Sequence, residues 1–239
     1  DAGACYFFTL VTEQRQPLLT QPRLREALRL AIVQVRQRYP FTIAGWVLLP
    51  DHLHCLWQLP AGDADFGLRW SLIKRLTSQA LPRAPGAISL SRCLRRESGL
   101  WQRRFWEHRI RDDEDYRRHL DYLHWNPVRH GLVERVADWP WSSYAHNAGL
   151  RSDALIQPHA VFWELGNTPF ARDAAYVSAV EEGVSSDDGE RISQSALRGW
   201  ALGDEQFIAD LQQRTERRVT RQRAGRPPGR TNERTTTVR

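Results

Sequence analysis

FTIAGWVLLP, residues 41–50, runs directly into DHLHCLWQLP, residues 51–60. The first run is rich in β-branched and aromatic residues and ends on a proline. The second is short and apolar. Together they predict two strands joined by a tight turn near Pro50 and Asp51. Side chains alternate across a strand, so His52 and His54 share one face, while Leu53, Cys55 and Trp57 take the other, toward a core. Cys55 then reads as a small core residue. Two imidazoles side by side suit a divalent metal; they equally suit a pair of polar groups on a solvated face. The hairpin alone leaves both open.

Working outward, YFFTLV (6–11) reads as a buried strand. Residues 22–39 place Leu24, Leu28, Ala31, Ile32 and Val35 at helical spacing. On the far side, residues 66–81 form a second helix with Arg69, Lys74 and Arg75 on a basic side, and residues 83–99 form a loop with four Arg. LWQRRFWEHRI (100–110) reads as a strand, and DDEDYRRHLDYLHWN (112–126) as a helix whose acidic start suits the helix dipole and which Pro127 stops. The order is β-α-β-β-α-β-α. Its first six elements predict an α+β, ferredoxin-like split βαβ domain: a four-stranded antiparallel sheet with helices on one face. Such a fold hosts many activities, so function has to be read from the site.

The texture changes beyond residue 145. Three short helices are expected in 170–183, 187–203 and 204–218, and the basic stretch from Val219 to Arg239 is expected to be disordered. We therefore divide the chain of 239 residues into a main domain (1–145), a helical appendage (146–213) and a basic tail (214–239). Charge follows the same division. The main domain has 21 basic and 15 acidic residues, the appendage 4 and 11, the tail 9 and 2. Lys74 is the one basic residue that is not Arg. Arg pairs with phosphate in bidentate geometry, and interleaved with 10 Trp it suits single-stranded nucleic acid, whose bases stack on rings. The apolar runs are too short to span a bilayer, and no signal peptide is evident. Cys5, Cys55 and Cys93 are odd in number and lack CxxC spacing, which argues for a reducing, cytoplasmic setting and against disulfides or structural zinc. The absence of Met leads us to expect the natural start upstream.

On the helix 112–126, Tyr116, Leu120 and Leu123 form a core stripe. Tyr122 and Asn126, four apart, share a second face on the shoulder of that stripe. In isolation they read as a boundary tyrosine and a C-terminal cap. Combined with His52 and His54 they read as a metal site beside a nucleophile. Two imidazoles and an amide oxygen leave room for Mg²⁺ or Mn²⁺ with water and a phosphate oxygen. A tyrosine phenol can attack phosphorus, and His119, one turn before Tyr122, is a candidate for assisting proton transfer.

GWVLLPDHLHCLW, LWQRRFWEHRIRDDEDYRRHLDYLHWNPVRHGLV and DWPWSSY, in that order, resemble the REP-associated tyrosine transposases of the IS200/IS605-like single-tyrosine HUH group, over roughly residues 6–145. His52-Leu53-His54 matches the HUH motif, Tyr122 the nucleophile and Asn126 the third metal ligand. The resemblance implies cleavage and rejoining of single-stranded DNA through a 5′-phosphotyrosine link with a free 3′-OH. It also implies recognition of REP-type DNA hairpins with a short guide at their foot, by a monomer associated with the nucleoid. Two features depart from the family. DAGAC stands where a basic segment usually precedes the first strand, and residues 146–239 exceed the shortest members. The GRPPGR stretch lacks the central pattern of an AT-hook and suits non-specific phosphate contact.

Arg69, Lys74, Arg75, Arg95, Arg96, Trp101, Arg103, Arg104, Trp106 and Arg109 are the candidate DNA-binding residues, with Arg92 beside them in the loop. His108, His124 and His130 read as structural. The competing reading is a DNA-hairpin-binding regulator that no longer cuts. An RNA-binding module of the same fold would carry a stacking motif on its sheet that is absent here.

Overall fold

The computed structural model describes residues 3–81, 99–183, 185–215 and 218–220. The Arg-rich loop with Arg92, Arg95 and Arg96, and almost all of the basic tail, lie outside these residues.

β1 (Cys5–Val11), α1 (Pro22–Arg38), β2 (Thr42–Leu48), β3 (His52–Gln58), α2 (Phe66–Ser78), β4 (Trp106–Arg109) and α3 (Asp113–Arg129) follow in the expected order. The sheet runs β2-β3-β1-β4, and every neighbouring pair is antiparallel. α1 and α2 cover one face. The five positions picked from helical spacing in α1 are its buried residues. They meet Tyr6, Phe8 and Leu10 of β1 and Leu53, Cys55 and Trp57 of β3, with Trp57 stacked 4.0 Å from Trp70 of α2.

The opposite face is also buried. There α3 packs Tyr116, Leu120, Tyr122 and Leu123 on Phe7, Val47 and Leu56. A bulge in β2 matters here: Ile43 faces Trp57, yet Gly45 already faces Leu56. The extra residue switches the parity, so Ile43 joins Trp46 and Leu48 in the first core, and Ala44 joins Val47 in the second. A Cβ on Gly45 would sit 2.7 Å from Cδ1 of Leu120, so glycine lets α3 close on the sheet.

The helices expected at 66–81, 187–203 and 204–218 end earlier, at Ser78, Arg198 and Arg214, and two further boundaries differ for a structural reason. α3 carries Pro127 inside its last turn and ends where Gly131, at φ 65°, turns the chain. Pro127 thus forfeits one backbone bond without stopping the helix. β4 is four residues long because the preceding chain leaves the ladder. Trp101 makes only an isolated bridge to Thr12, and Lys74 Nζ takes the carbonyls of Gln102 and Arg103.

The C-terminal segment contributes α4 (Tyr144–Asn147), α5 (Ala160–Trp163), α6 (Pro169–Glu182), α7 (Ser186–Arg198) and α8 (Glu205–Arg214). Val161, Tyr176, Val180 and Ile192 complete the second core. Tyr122 is therefore 4% exposed, enclosed rather than on a solvated shoulder. Trp125 Nε1 donates to the Val180 carbonyl at 2.7 Å, and Trp106 Nε1 to that of Trp200 at 2.9 Å. His124 ties α3 to α6. Asn147 Nδ2 donates to the Tyr176 hydroxyl, which leaves that hydroxyl to donate to His124 Nε2; His124 Nδ1–H then donates to Ser142 Oγ at 3.1 Å.

Burial pushes the His124 imidazole down to about 3. An unfolded histidine takes up its proton near pH 6.5. Between those values the unfolded chain binds one more proton, so this group's contribution to stability is full above 6.5 and lost as pH falls. Denaturant unfolding of the native chain and of His124→Gln is expected to show slopes between pH 6 and 4 that differ by about 1.4 kcal/mol per pH unit, the native chain being the steeper. Parallel slopes would show that His124 is not held neutral.

Candidate active site

His52 and His54 point from β3 to the face covered by α3, with ring centroids 5.0 Å apart. Both are buried. Each has one nitrogen anchored. His54 Nδ1 lies 2.8 Å from the hydroxyl of Thr9, its cross-strand partner, and His52 Nδ1 lies 2.6 Å from Asp51 Oδ1. Burial pushes the Asp51 carboxyl up. Hydrogen bonds and charge from His52 and Arg15 outweigh it and hold the group well below the usual carboxylate range. His54 Nε2 is buried with no partner. Burial, and then the neighbouring His52 and His130, hold the His54 imidazole well below its ordinary pKa; Asn126 pulls the other way. A neutral imidazole with its Nδ1 proton tied to oxygen presents a lone pair at Nε2, the arrangement of a metal-ligating histidine.

α3 brings the other two residues to this face. The Tyr122 ring lies 5.3 Å from that of His54. Asn126 sits inside the helix and is no cap. Its Nδ2 donates to the Tyr122 carbonyl at 3.0 Å, which leaves the amide oxygen Oδ1 as an acceptor on this face. The Arg129 guanidinium lies 5.5 Å from the centre of the Tyr122 ring. Two imidazole nitrogens, that of His54 an orphaned buried atom, and one amide oxygen fit a hard divalent cation.

His130, for which the sequence suggests a structural role, has its ring 5.1 Å from that of His52. The signal was present: His130 follows Asn126 by four and Tyr122 by eight, on one helical face. Asp51 and Thr9, which fix the two imidazoles, were also missed. Asp51 is adjacent to His52 in sequence, whereas Thr9 is visible only once the strands are paired.

His119 occupies a second polar cluster across the Phe7 ring, which lies 5.3 Å from His54 and 4.9 Å from His119. His108, Asp115 and His119 offer ligand atoms within 4.8 Å of one another, a spacing that admits a metal. The carboxylate is already engaged, however. Asp115 Oδ2 accepts from His108 Nε2 at 2.8 Å and from both Nε and the backbone N–H of Arg111 at 3.1 Å; His119 Nδ1 lies 2.8 Å from the Asp115 carbonyl. An arginine on the same oxygen disfavours a cation there. The cluster leaves His119 Nε2 buried and without a partner.

Four of the candidate DNA-binding residues are spoken for. Arg69 is 2% exposed and donates to the Tyr39, Pro40 and Asp65 carbonyls and to Asp63. Lys74 clamps the 102–103 segment, and burial pushes its ammonium down to about 8. Trp101 and Trp106 are buried in the two cores. Composition marks such residues as nucleic-acid-binding types but does not tell a clamp or a core ring from a surface one. Arg75, Arg103, Arg104 and Arg109 are exposed. Among the described residues no helix is long and apolar enough to cross a membrane.

No family model matches the chain. It is 43% identical over 143 residues to the REP-associated tyrosine transposase of Escherichia coli, covering 59% of this chain and 77% of that protein. It is 44% identical over 142 residues to a Haemophilus influenzae protein of the same kind, covering 59% of this chain and 80% of the other. The solved structure of a REP-associated tyrosine transposase bound to a REP hairpin superposes with a TM-score of 0.53 at 36% identity, over 66% of this chain and 94% of that one. A likeness of this extent, joined to a histidine pair and a tyrosine set on facing elements, has one reading: the chain belongs to the REP-associated tyrosine transposases.

Proposed function

We propose that this chain is a divalent-metal-dependent transesterase that cleaves and rejoins single-stranded DNA at REP-type hairpins through a 5′-phosphotyrosine link. The observation that carries the proposal is the buried, unpartnered Nε2 of His54, with both imidazoles anchored through Nδ1 and the Tyr122 ring 5.3 Å away. His52, His54 and Asn126 would hold Mg²⁺ or Mn²⁺. When bound, such a cation polarises the scissile phosphate and favours departure of the 3′ oxygen.

Tyr122 Oη gives up its proton and attacks phosphorus, the P–O3′ bond breaks, and the leaving oxygen takes a proton from water to give a free 3′-OH. His119, one turn before Tyr122 on α3 with its Nδ1 2.8 Å from the Asp115 carbonyl, is the candidate to assist removal of the phenol proton once the tyrosine moves onto the substrate. Rejoining reverses each step: a 3′-OH attacks, and the proton returns to Tyr122. Arg75, Arg103, Arg104 and Arg109 supply phosphate contacts, and the chain acts as a monomer in the cytoplasm, at the nucleoid. Residues 1–145 form the transposase unit, 146–213 a helical appendage that braces α3, and 214–239 a basic tail.

The test is incubation of the protein with end-labelled single-stranded hairpins from the DNA flanking its own gene. A covalent protein–DNA band on a denaturing gel is expected with Mn²⁺ or Mg²⁺ and not with a chelator. Tight hairpin binding with no band under any divalent cation would leave a binding protein that does not cut.

A further inference from the structure

The DWPWSSY motif takes no part in the chemistry above, and its place in the fold raises a separate question. β2 is an edge strand, and residues 141–143 cover its outer side. Leu48 N–H donates to the Trp141 carbonyl at 2.9 Å, Ser143 N–H to that of Trp46 at 2.9 Å, and Trp139 Nε1 to that of Leu48 at 3.0 Å. Between this segment and α1 lies an open cavity of about 420 Å³, whose walls include Arg25, Arg29, Trp46, Trp141, Arg151 and Asp153. The volume falls within the range of small-ligand pockets.

Its arginines are held in place rather than loose. Arg25 Nε donates to the Thr20 carbonyl at 3.0 Å, and its guanidinium lies 4.9 Å from the centre of the Trp141 ring. Arg29 meets both carboxylate oxygens of Asp153, at 3.0 and 2.8 Å, and lies 5.7 Å from the centre of Trp46. Arg151 Nη2 donates to the Pro140 carbonyl at 2.7 Å. Three guanidinium groups against one carboxylate leave the walls net positive. Planar cations backed by indole rings form a platform on which a nucleobase stacks, and the remaining N–H groups meet phosphate. Leu48 pairs with Leu53, the residue between His52 and His54. Leu48 and Leu53 both turn their side chains into the core under α1 and α2, so the cavity lies on the other side of the sheet from the histidine pair, and a strand that reaches both passes around the β2 edge.

We propose that this cavity is a subsite for one unpaired nucleotide of the substrate strand, its base stacked on Arg25 over Trp141 and its phosphate facing Arg151. The inference rests on the proposal that the chain takes single-stranded DNA.

The experiment measures binding of labelled stem–loops, with and without short single-stranded flanks, by fluorescence anisotropy in the presence of a chelator. Abasic sites are then placed at each flank position in turn. The native chain is expected to gain roughly tenfold in affinity from a flank, and to lose it when one particular position is abasic. Arg25→Ala is expected to lose both the flank gain and the abasic penalty at that position, while melting and bare stem–loop binding stay as in the native chain. Arg25→Lys restores the charge without the plane and is expected to stay defective. A flank gain that survives Arg25→Ala would overturn the subsite, as would full rescue by Arg25→Lys. Failure of the wider proposal looks different: the native chain would then bind no stem–loop and form no covalent band.

Discussion

Tyr122→Phe is expected to abolish the covalent protein–DNA band and to lower strand cleavage by roughly a thousandfold or more, while hairpin affinity changes by less than about twofold. Removing a nucleophile deletes a whole reaction path, and what survives is the slow background that the rest of the site supports. The substitution removes one oxygen and keeps the ring. Contacts of that ring with His54 at 5.3 Å, Phe7 at 6.1 Å and the Arg129 guanidinium at 5.5 Å all remain. Melting is therefore expected to hold within a few degrees, so that a lost band reports chemistry and not folding. Retention of a covalent band by Tyr122→Phe would move the nucleophile elsewhere.

The hairpin at 41–60 was legible because two physical signals agree there. β-branched and aromatic residues favour strands, and alternation separates His52 and His54 from Leu53, Cys55 and Trp57. The α1 stripe was legible for the same kind of reason, since a 3.6-residue period is a local property. What the sequence hid was long-range. The β2 bulge changes which face Ile43 and Ala44 occupy, and nothing in FTIAGW marks it except Gly45. Thr9 lies 45 residues from His54, and its hydroxyl matters only through strand register. Arg69, Lys74, Trp101 and Trp106 were misplaced because burial depends on neighbours that composition does not supply. Pro127 misled through its usual role: a proline in a last turn costs one backbone bond, and Gly131 ends the helix.

The two faces of the sheet divide the labour. The face under α1 and α2 is packed with Trp57, Trp70, Phe8 and Phe41 and holds the β3 strand still. The face under α3 mixes apolar residues with buried imidazoles, each of which needs a partner or a ligand. His54, His108, His119 and His124 are all buried there. His124 has both nitrogens, and His108 its Nε2, engaged by protein groups, whereas His54 and His119 each retain an orphan Nε2. A buried donor or acceptor left unmade costs about 1–3 kcal/mol. Of the two, the His54 ring lies 5.3 Å from that of Tyr122, whereas the His119 ring lies across Phe7, stacked on His108.

Asp115→Ala is expected to destabilise the chain by roughly 3–5 kcal/mol, because it leaves His108, Arg111 and His119 facing a buried void where a charge had met them. In a chain of this size that is a fall in Tm of about 10 °C. Burial pushes the Asp115 carboxyl up, but hydrogen bonds from His108, His119 and Arg111 outweigh it and hold the group well below the carboxylate range. A depressed carboxylate contributes stability above the unfolded pKa near 3.9 and loses it as pH falls below. The difference in Tm between the native chain and the variant is therefore expected to be full at neutral pH and to shrink in acid. Asp115→Asn keeps the shape and one acceptor and is expected to fall between the two. A metal titration of the same proteins separates the two clusters flanking Phe7. Mn²⁺ at His52 and His54 would raise the Tm of Asp115→Ala as much as that of the native chain, and would leave His54→Ala unmoved. If Asp115→Ala instead loses the metal response while His54→Ala keeps it, the cation belongs with His108 and His119, and the hydrogen-bonded network is a metal site after all.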